Sequence, residues 1–172
     1  MTNEEILTHI RNVPDFPRQG ILFKDITTAL KDKTTFKAII DNMIKEIKDV
    51  NFDYIVAIES RGYLFGAPLA YELNKGLVLI RKPGKLPAKV ERVEYALEYG
   101  TDAIEIHADA IESGKKVLIV DDLLATGGTI NASIELVGKL GAKVAGCLFL
   151  IELEELSKNA NINAPVISLI KC

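Results

Sequence analysis

One stretch, residues 117–129 with the sequence VLIVDDLLATGGT, constrains the fold more than any other part of this 172-residue chain. Four apolar residues come first, and two adjacent acids, a turn of small residues and a helical pattern follow. This order predicts a buried strand that carries carboxylates at its carboxyl end and leads through a glycine turn into a helix. Open α/β sheets bind their ligands at that edge.

The turn after the acids has the properties of an anion-binding site. It consists of Ala125, Thr126, Gly127, Gly128 and Thr129. Backbone N–H groups at a helix N-terminus suit a phosphate, and the two threonine hydroxyls add further donors. Asp121 and Asp122 can accept hydrogen bonds from hydroxyl groups beside that phosphate. A phosphate next to a diol indicates a ribose 5-phosphate.

Two acids at a strand end also occur in many other nucleotide-binding folds, so the acids alone do not identify the ligand. The stretch lacks the Gly-Lys-Ser/Thr ending of a triphosphate-binding loop, and it lacks the GxGxxG pattern of a dinucleotide-binding loop. The full stretch therefore favours a cradle for a monophosphate.

The rest of the chain alternates between strand and helix patterns, which predicts one α/β domain, residues 1–172, with a mainly parallel central sheet flanked by helices. Strands are expected at 53–58, 76–82, 116–121, 143–151 and 165–170. Helices are expected at 2–12, 34–48, 63–74 and 129–140, with an irregular loop at 13–20. Residues 83–103 show no single period, so a lid loop is expected there, part of which forms a hairpin with 104–107.

Composition excludes several classes of function. The net charge of −3 gives no basic excess for nucleic acid or an anionic membrane surface. No apolar run reaches the ~18 residues of a transmembrane helix, and the charged N-terminus does not resemble a signal peptide. Cys147 and Cys172 cannot form a disulfide framework or a zinc site, and Cys147 is expected to be a buried thiol. These features predict a cytoplasmic protein without nucleic-acid or membrane partners.

Basic residues follow two other predicted strands. Arg61 stands between Ser60 and Gly62 after the strand at 53–58, where glycine allows close approach of the backbone to a ligand. Arg81, Lys82 and Lys85 surround a Pro-Gly pair. Taken alone, each group is an ordinary solvated surface. Arginine also offers the paired donors that phosphate oxygens accept.

The motif at 117–129 resembles the phosphoribosyl-pyrophosphate motif of the type I phosphoribosyltransferases. Further blocks are similar to the members of that family that act on adenine: PDFPRQGILFKDIT at 14–27, ESRGYLFG at 59–66, LIRKPGKLP at 79–87 and EYALEYGTDAIEIH at 94–107. The resemblance implies the family fold, a homodimer, and transfer of a phosphoribosyl group from phosphoribosyl pyrophosphate to adenine. It also implies Mg2+ bound mainly through the pyrophosphate and ribose of the substrate, without a dedicated protein metal site.

The resemblance also assigns roles to residues. It assigns the turn at 125–129 to the 5-phosphate and Asp121 and Asp122 to the ribose hydroxyls. It assigns the pyrophosphate to Arg61, Arg81, Lys82 and Lys85, with part of the cluster at 81–85 donated across a dimer interface. It assigns adenine to stacking on Phe23, backbone groups of Leu22 and Lys24, and cover by Leu153. The catalytic residues that it implies are Glu98, Arg61 and Tyr99, with Glu98 near N7 of the base and Tyr99 near the pyrophosphate.

Two other functions remain open. The residues alone do not distinguish adenine from hypoxanthine, because backbone readers leave no side-chain pattern, so another purine base is an alternative. For Phe23 itself, a short edge strand that buries its ring in the core is an alternative to a base site.

A ligand-sensing regulator without catalysis is the second alternative function. It would need a DNA-binding element, for which the residues before Pro14 are too few.

Overall fold

The fold is that of a computed structural model, which describes residues 1–96 and 100–172. The strands are β1 (Arg11–Pro14), β2 (Leu22–Asp25), β3 (Tyr54–Ile58), β4 (Gly76–Ile80), β5 (Val90–Ala96), β6 (Thr101–His107), β7 (Lys116–Leu124), β8 (Lys143–Glu152) and β9 (Val166–Lys171). The helices are α1 (Asn3–Thr8), α2 (Thr27–Lys31), α3 (Lys33–Glu46), α4 (Tyr63–Glu72), α5 (Gly128–Lys139) and α6 (Glu154–Ser157).

A five-stranded parallel sheet forms the centre of the fold, in the order β4-β3-β7-β8-β9. Its inner strands are apolar along their length because helices and a hairpin cover both faces, as parallel sheets require. The chain runs outward to β4 after β3, and in the opposite direction to β8 and β9 after β7. The direction of winding therefore reverses between β3 and β7, where α/β folds form their ligand crevice.

Alternate residues of β7 and β8 belong to two hydrophobic clusters, one on each face of the sheet. Leu118 and Val120 pack with the buried faces of α1, α3 and α4. Val117 and Ile119 pack with α5 and with the hairpin formed by β5 and β6. Each fully buried aliphatic side chain of this kind contributes roughly 1.5–3 kcal/mol. The two clusters fix the sheet and thereby the position of its carboxyl edge.

Local sequence sets the ends of two N-terminal helices. Thr2 and Glu5 form a capping box at the start of α1. The carboxylate of Asp32 accepts a 2.7 Å hydrogen bond from the backbone N–H of Thr35 and caps α3. The first turn of α3, a helix that buries Ile39, Ile40 and Met43, thus has one of its backbone donors satisfied by a side chain.

The N-terminal region differs from the sequence prediction. The helix expected at 2–12 ends at Thr8, and part of the expected loop is strand β1, which pairs antiparallel with β2. The two strands form a separate small sheet that carries Phe23. Thr28 donates its hydroxyl to the carbonyl of His9 at 2.6 Å, which joins the end of α1 to the segment after β2.

The remaining elements agree with the expected order, with shifted ends. Strand β7 continues to Leu124, so Asp121 and Asp122 lie within the strand, and the short helices α2 and α6 were not expected. Residues 90–96 pair with 101–107, which confirms the expected hairpin.

Cys147 is a buried thiol, as expected, and burial raises its pKa to about 12. Across the described ranges, no helix is long and apolar enough to span a bilayer.

Candidate active site

The two neighbouring strands at the switch point bring the predicted acids and Arg61 together. Arg61 follows β3, and Asp121 and Asp122 lie near the end of β7. Gly62 makes the approach possible, because a Cβ at this position would lie 2.6 Å from the carbonyl oxygen of Ile58 and 2.7 Å from that of Val120. Only glycine fits there without moving the backbone.

The predicted phosphate cradle forms a cleft of about 100 Å³ at the end of β7. Residues 125–129 all line it, together with Asp121, Leu123, Leu124, Ile130 and Phe149. Gly127, the N-cap residue of α5, has a φ of +86° and as a glycine offers no side chain to cap the amides there. Because these N–H groups are not capped, they are available to an anion at the positive end of the helix.

The two acids occupy different electrostatic environments. Asp122 is only 5% exposed, and its carboxylate lies 3.0 Å from Nε of Arg61. Burial raises the pKa of Asp122, and the guanidinium of Arg61 opposes that shift. Burial and the neighbouring charge of Asp122 raise the pKa of Asp121 well above its usual range. Burial thus disfavours the charge of both carboxyls, and the guanidinium of Arg61 offsets this most directly at Asp122, its ion-pair partner.

The structure divides the basic cluster into two groups. Lys82 lines a cavity of about 240 Å³ together with Arg61, Asp121, Asp122 and Thr129. Arg81 and Lys85 instead pair with Glu59, at 3.4 Å and 2.6 Å from its carboxylate oxygens. Of the three basic residues expected at the pyrophosphate, Lys82 lines the cavity. Arg81 and Lys85 lie beside it, in ion pairs with Glu59.

Glu59 connects this cluster to the end of β3. Its carboxylate also accepts a 2.8 Å hydrogen bond from the backbone N–H of Lys82. Burial alone would raise the pKa of Glu59, but the hydrogen bonds from Lys85, the Lys82 backbone and Arg81 lower it to about 2. Glu59 therefore remains ionised and fixes the start of the basic segment relative to Arg61.

The predicted base-binding residues lie on the small N-terminal sheet. Phe23 is half-buried and belongs to neither hydrophobic cluster of the central sheet, so the alternative that buries it in the core is wrong. The guanidinium carbon of Arg61 lies 5.5 Å from the centroid of its ring. Phe16 packs edge-on against the ring with centroids 5.1 Å apart. An aromatic ring thus stands beside the cavity that contains Arg61.

The other three residues predicted for the base site, Leu22, Lys24 and Leu153, lie on β2 and after β8. Leu22 and Lys24 flank Phe23 on β2, with Leu22 51% exposed. Leu153 follows β8, where its backbone N–H donates to the carbonyl of Leu124 at 2.9 Å. Leu153 is therefore tied to the end of the strand that leads into the cradle. The predicted lid residues Glu98 and Tyr99 lie outside the described residues.

No group of three His, Cys, Asp or Glu side chains within 1–96 and 100–172 is arranged to bind a metal ion. Asp121 and Asp122 do offer carboxylate oxygens at the same cavity as Arg61 and Lys82. Mg2+ prefers oxygen ligands and keeps waters and substrate phosphates in its coordination shell. These residues fit an ion bound mainly by its substrate, with at most the two aspartates beside it.

Three residues that contact the predicted site residues were given no role from the sequence. Glu59 pairs with the basic cluster, while Tyr95 and Asp102 contact Thr129 and Lys82. The position of Glu59 immediately before the Ser-Arg-Gly stretch was a sequence signal for its role. Tyr95 and Asp102 had no such signal, because their contacts with Thr129 and Lys82 arise from packing between distant segments.

Comparisons with known proteins show the family of the chain. The family model for the phosphoribosyl transferase domain matches residues 27–172. The adenine phosphoribosyltransferase of Caldicellulosiruptor saccharolyticus is 58% identical over 152 residues, which cover 88% of this chain and 87% of that protein. The chain belongs to the phosphoribosyltransferase family, in its adenine phosphoribosyltransferase branch.

Solved structures of this branch share the fold. The crystal structure of adenine phosphoribosyltransferase from Thermoanaerobacter pseudethanolicus has a TM-score of 0.96 at 54% identity, covering 99% of this chain and all of that one. The Saccharomyces cerevisiae enzyme, solved with adenine and an imino-altritol bisphosphate, has a TM-score of 0.91 at 40% identity and 97% coverage of each chain. The single α/β domain is thus shared with this branch along nearly its whole length.

Proposed function

We propose that this phosphoribosyltransferase transfers the 5-phosphoribosyl group of phosphoribosyl pyrophosphate to adenine, giving AMP and pyrophosphate, and so serves purine salvage. One observation supports the donor. An uncapped helix N-terminus, two acids and two basic side chains meet at one edge of the sheet. The phosphate, the ribose diol and the pyrophosphate of the donor match these three groups in that order.

The cradle supplies hydrogen bonds rather than a formal charge. Backbone N–H groups at 127–129 and the hydroxyl of Thr126 bind the 5-phosphate at the start of α5, whereas the Thr129 hydroxyl donates to the phenol oxygen of Tyr95. Asp121 and Asp122 accept hydrogen bonds from the ribose hydroxyls. The sugar is thereby fixed at both ends of its ring, which orients its C1 atom towards the base.

The reaction forms a bond between N9 of adenine and C1 of the ribose and breaks the bond from C1 to the pyrophosphate oxygen. The leaving pyrophosphate takes the bonding electron pair, so negative charge grows there while positive charge grows on the ribose ring. Arg61 and Lys82 line the cavity and stabilise the first charge. Arg81 and Lys85 add to the local positive potential through their positions beside Glu59.

A Mg2+ ion carried by the donor would supply positive charge that offsets part of the charge of the leaving group. Asp121 and Asp122, whose carboxylates line the same cavity as Arg61 and Lys82, would lie beside it. Asp122 also fixes Arg61 for its contact with the pyrophosphate.

The base site proposed here uses stacking and backbone hydrogen bonds. Phe23 offers its ring to one face of adenine, and Leu153 covers the other. The backbone of Leu22 and Lys24 supplies one carbonyl and one N–H, which match the N6 donor and N1 acceptor of adenine. Support for adenine over other purines comes from the relatives that carry its name.

Residues 83–103 are proposed to form the lid of the site, with Glu98 and Tyr99 in it. Glu98 takes or stabilises the proton that leaves the imidazole ring of adenine as the N9–C1 bond forms. Tyr99 contacts the pyrophosphate. Exclusion of water by this segment would protect the activated ribose from hydrolysis.

A homodimer and a cytoplasmic location complete the proposal. In the dimer, part of the basic segment at 81–85 would serve the partner's pyrophosphate site. Both cysteines are free thiols, one buried and one exposed, which is typical of a reducing compartment.

Pyrophosphate release measured with and without Mg2+, using adenine, hypoxanthine, guanine and xanthine in turn, tests the proposal. We expect Mg2+-dependent release with adenine alone. Turnover of hypoxanthine without turnover of adenine would assign the fold to another base. A shift of duplex DNA at physiological salt without any turnover would instead favour a ligand-sensing regulator.

A further inference from the structure

A pair of facing residues on the β5–β6 hairpin connects the phosphate cradle to the basic segment. Tyr95 on β5 stands opposite Asp102 on β6, and its hydroxyl donates to the Asp102 carboxylate at 3.2 Å. The hydroxyl of Thr129 donates to the phenol oxygen of Tyr95, also at 3.2 Å. The ammonium of Lys82 pairs with the same Asp102 carboxylate. Four side chains thus form one hydrogen-bonded chain.

Further contacts from the described residues hold the pair in place. The ring of Tyr95 lies against the first residue of α5, since a Cβ on Gly128 would be 3.4 Å from the ring. The second oxygen of Asp102 accepts a 2.8 Å hydrogen bond from the backbone N–H of Ala103. The Asp102 side chain is 29% exposed and that of Lys82 40%. A carboxylate with three partners in a half-buried position has little freedom to rotate.

Thr129 and Lys82, the two ends of this chain, line one cavity with Arg61. On the proposed function, these ends contact opposite anionic groups of the donor: the backbone N–H of Thr129 the 5-phosphate and the ammonium of Lys82 the pyrophosphate, because the single hydroxyl proton of Thr129 is donated to Tyr95. We propose that Tyr95 and Asp102 are positioning residues for the transfer, which fix Thr129 and the Lys82 ammonium at the separation that phosphoribosyl pyrophosphate requires. This inference rests on the proposed function and adds to it a pair to which that function assigns no substrate contact.

The direction of the change in donor affinity when Asp102 is removed distinguishes positioning of Lys82 from neutralisation of its charge. If Asp102 only neutralised Lys82, its removal would strengthen binding of the anionic donor. If Asp102 positions Lys82, its removal frees a flexible four-carbon side chain, which must then be ordered when the donor binds. Ordering one such side chain costs about 0.5–1.5 kcal/mol, which corresponds to roughly 3- to 10-fold in affinity.

Asp102→Asn and Tyr95→Phe test the pair in the full-length protein. Both substitutions keep the shape of the side chain, and the second keeps the ring packed on Gly128. We expect both to raise the Kd of Mg2+–phosphoribosyl pyrophosphate in calorimetry by roughly 3- to 10-fold. The KM for the donor should rise by a similar factor, with kcat and the KM for adenine within about twofold of wild type.

The chain offers matched controls for both variants. Asp41→Asn removes a carboxylate that pairs with Lys37 on the surface of α3. Tyr54→Phe removes a tyrosine hydroxyl that donates to Glu112 at 2.7 Å, at the start of β3 and far from the carboxyl edge. Neither should change donor binding. Tighter donor binding by Asp102→Asn, or an unchanged donor Kd in both hairpin variants, would overturn the proposal.

The two halves of the donor provide separate probes. Pyrophosphate and ribose 5-phosphate can each be titrated into the wild type and into Tyr95→Phe. The Tyr95 hydroxyl contacts Thr129 and Asp102, so we expect weaker binding of ribose 5-phosphate directly and of pyrophosphate through Asp102. If Tyr95→Phe weakened the binding of ribose 5-phosphate only, Tyr95 would act on Thr129 alone. That result would contradict the proposed connection to Lys82 through Asp102.

These binding constants also separate this inference from the proposed function. A wild-type protein that does not convert adenine contradicts the function. Hairpin variants with wild-type donor binding contradict only the positioning pair. Thermal melts of each variant check the fold, and Tyr95→Phe still tests the proposal if Asp102→Asn does not fold.

Discussion

Arg61 and Asp122 form an ion pair across the switch point of the sheet, with Nε of the arginine 3.0 Å from a carboxylate oxygen. The arginine follows β3 and the aspartate lies on β7, so the pair joins the two strands at their carboxyl edge. On the proposed function, one of these residues binds the pyrophosphate and the other the ribose. The free protein thus already orients two of its donor-binding groups against each other.

Asp122→Asn should therefore weaken donor binding. The amide retains the shape of the side chain but loses the charge that orients Arg61, and charge-assisted hydrogen bonds are about twice as strong as neutral ones. We expect the Kd for Mg2+–phosphoribosyl pyrophosphate to rise about tenfold, measured by calorimetry. Asp109→Asn, at an exposed position, is the control. Unchanged donor affinity in Asp122→Asn would remove Asp122 from the ribose site.

Gly127→Ala should damage the phosphate cradle. Gly127 has a φ of +86°, and a Cβ there would lie 2.6 Å from the Cβ of Ala160. The left-handed conformation alone costs an alanine roughly 1–2 kcal/mol, and the clash must also displace the segment that contains Ala160. We expect a lower melting temperature and a weaker affinity for ribose 5-phosphate.

Gly138→Ala provides a matched control within the same helix. Gly138 lies inside α5, and apart from the helix's own backbone a Cβ there would meet no heavy atom of residues 1–96 or 100–172 within 4 Å. Because glycine inside a helix costs roughly 0.5–1 kcal/mol relative to alanine, this variant should be slightly more stable than wild type and bind ribose 5-phosphate normally. Equal behaviour of the two variants would contradict the role of Gly127.

Phe23→Leu should weaken base binding while leaving donor binding intact. Stacking of a base on an aromatic side chain contributes roughly 1–3 kcal/mol, and leucine keeps the apolar volume but loses the flat ring. We expect the KM for adenine to rise about tenfold or more. The KM for phosphoribosyl pyrophosphate is the internal control. An equal rise in both constants would indicate that Phe23 acts through Arg61, whose guanidinium lies 5.5 Å from its ring.

Glu59→Gln should reduce stability in a pH-dependent way. Its folded-state pKa of about 2 is below the usual value of 4.5, so the ionised form stabilises the fold fully above pH 4.5. That contribution is lost as the pH falls from about 4.5 towards 2. We expect the variant to lose about 1–2 kcal/mol of unfolding free energy at pH 7, with the difference from wild type shrinking below pH 4.5.

Urea unfolding at several pH values between 7 and 3 measures this difference. Glu155→Gln, at an exposed position on α6, should match the wild type throughout that range. A difference between Glu59→Gln and wild type that is independent of pH would show that the amide disturbs packing rather than charge.

The central sheet was predictable because its strands are continuous apolar runs between turn residues, as in residues 54–58 and 117–120. The acids and the glycine turn were predictable for the same reason, since they follow one of those runs directly. Strand β1 was not, because Pro14 and Pro17 indicate a loop and only pairing with β2 makes Arg11–Pro14 a strand. The contact of Tyr95 with Asp102 depends on the register of the hairpin, and its contact with Thr129 depends on how the hairpin packs on α5, which no local pattern encodes.

Glu98→Gln should lower turnover with little change in donor affinity. Glu98 is proposed to receive or stabilise the proton that adenine loses as the N9–C1 bond forms, and glutamine keeps its shape but cannot accept that proton. General-base groups contribute roughly 10²–10⁴-fold to rate, so we expect kcat to fall by at least about tenfold while the donor Kd stays within about twofold. Presteady-state measurement of AMP formation separates the chemical step from product release. Wild-type AMP formation in this variant would assign the proton to solvent or to another group.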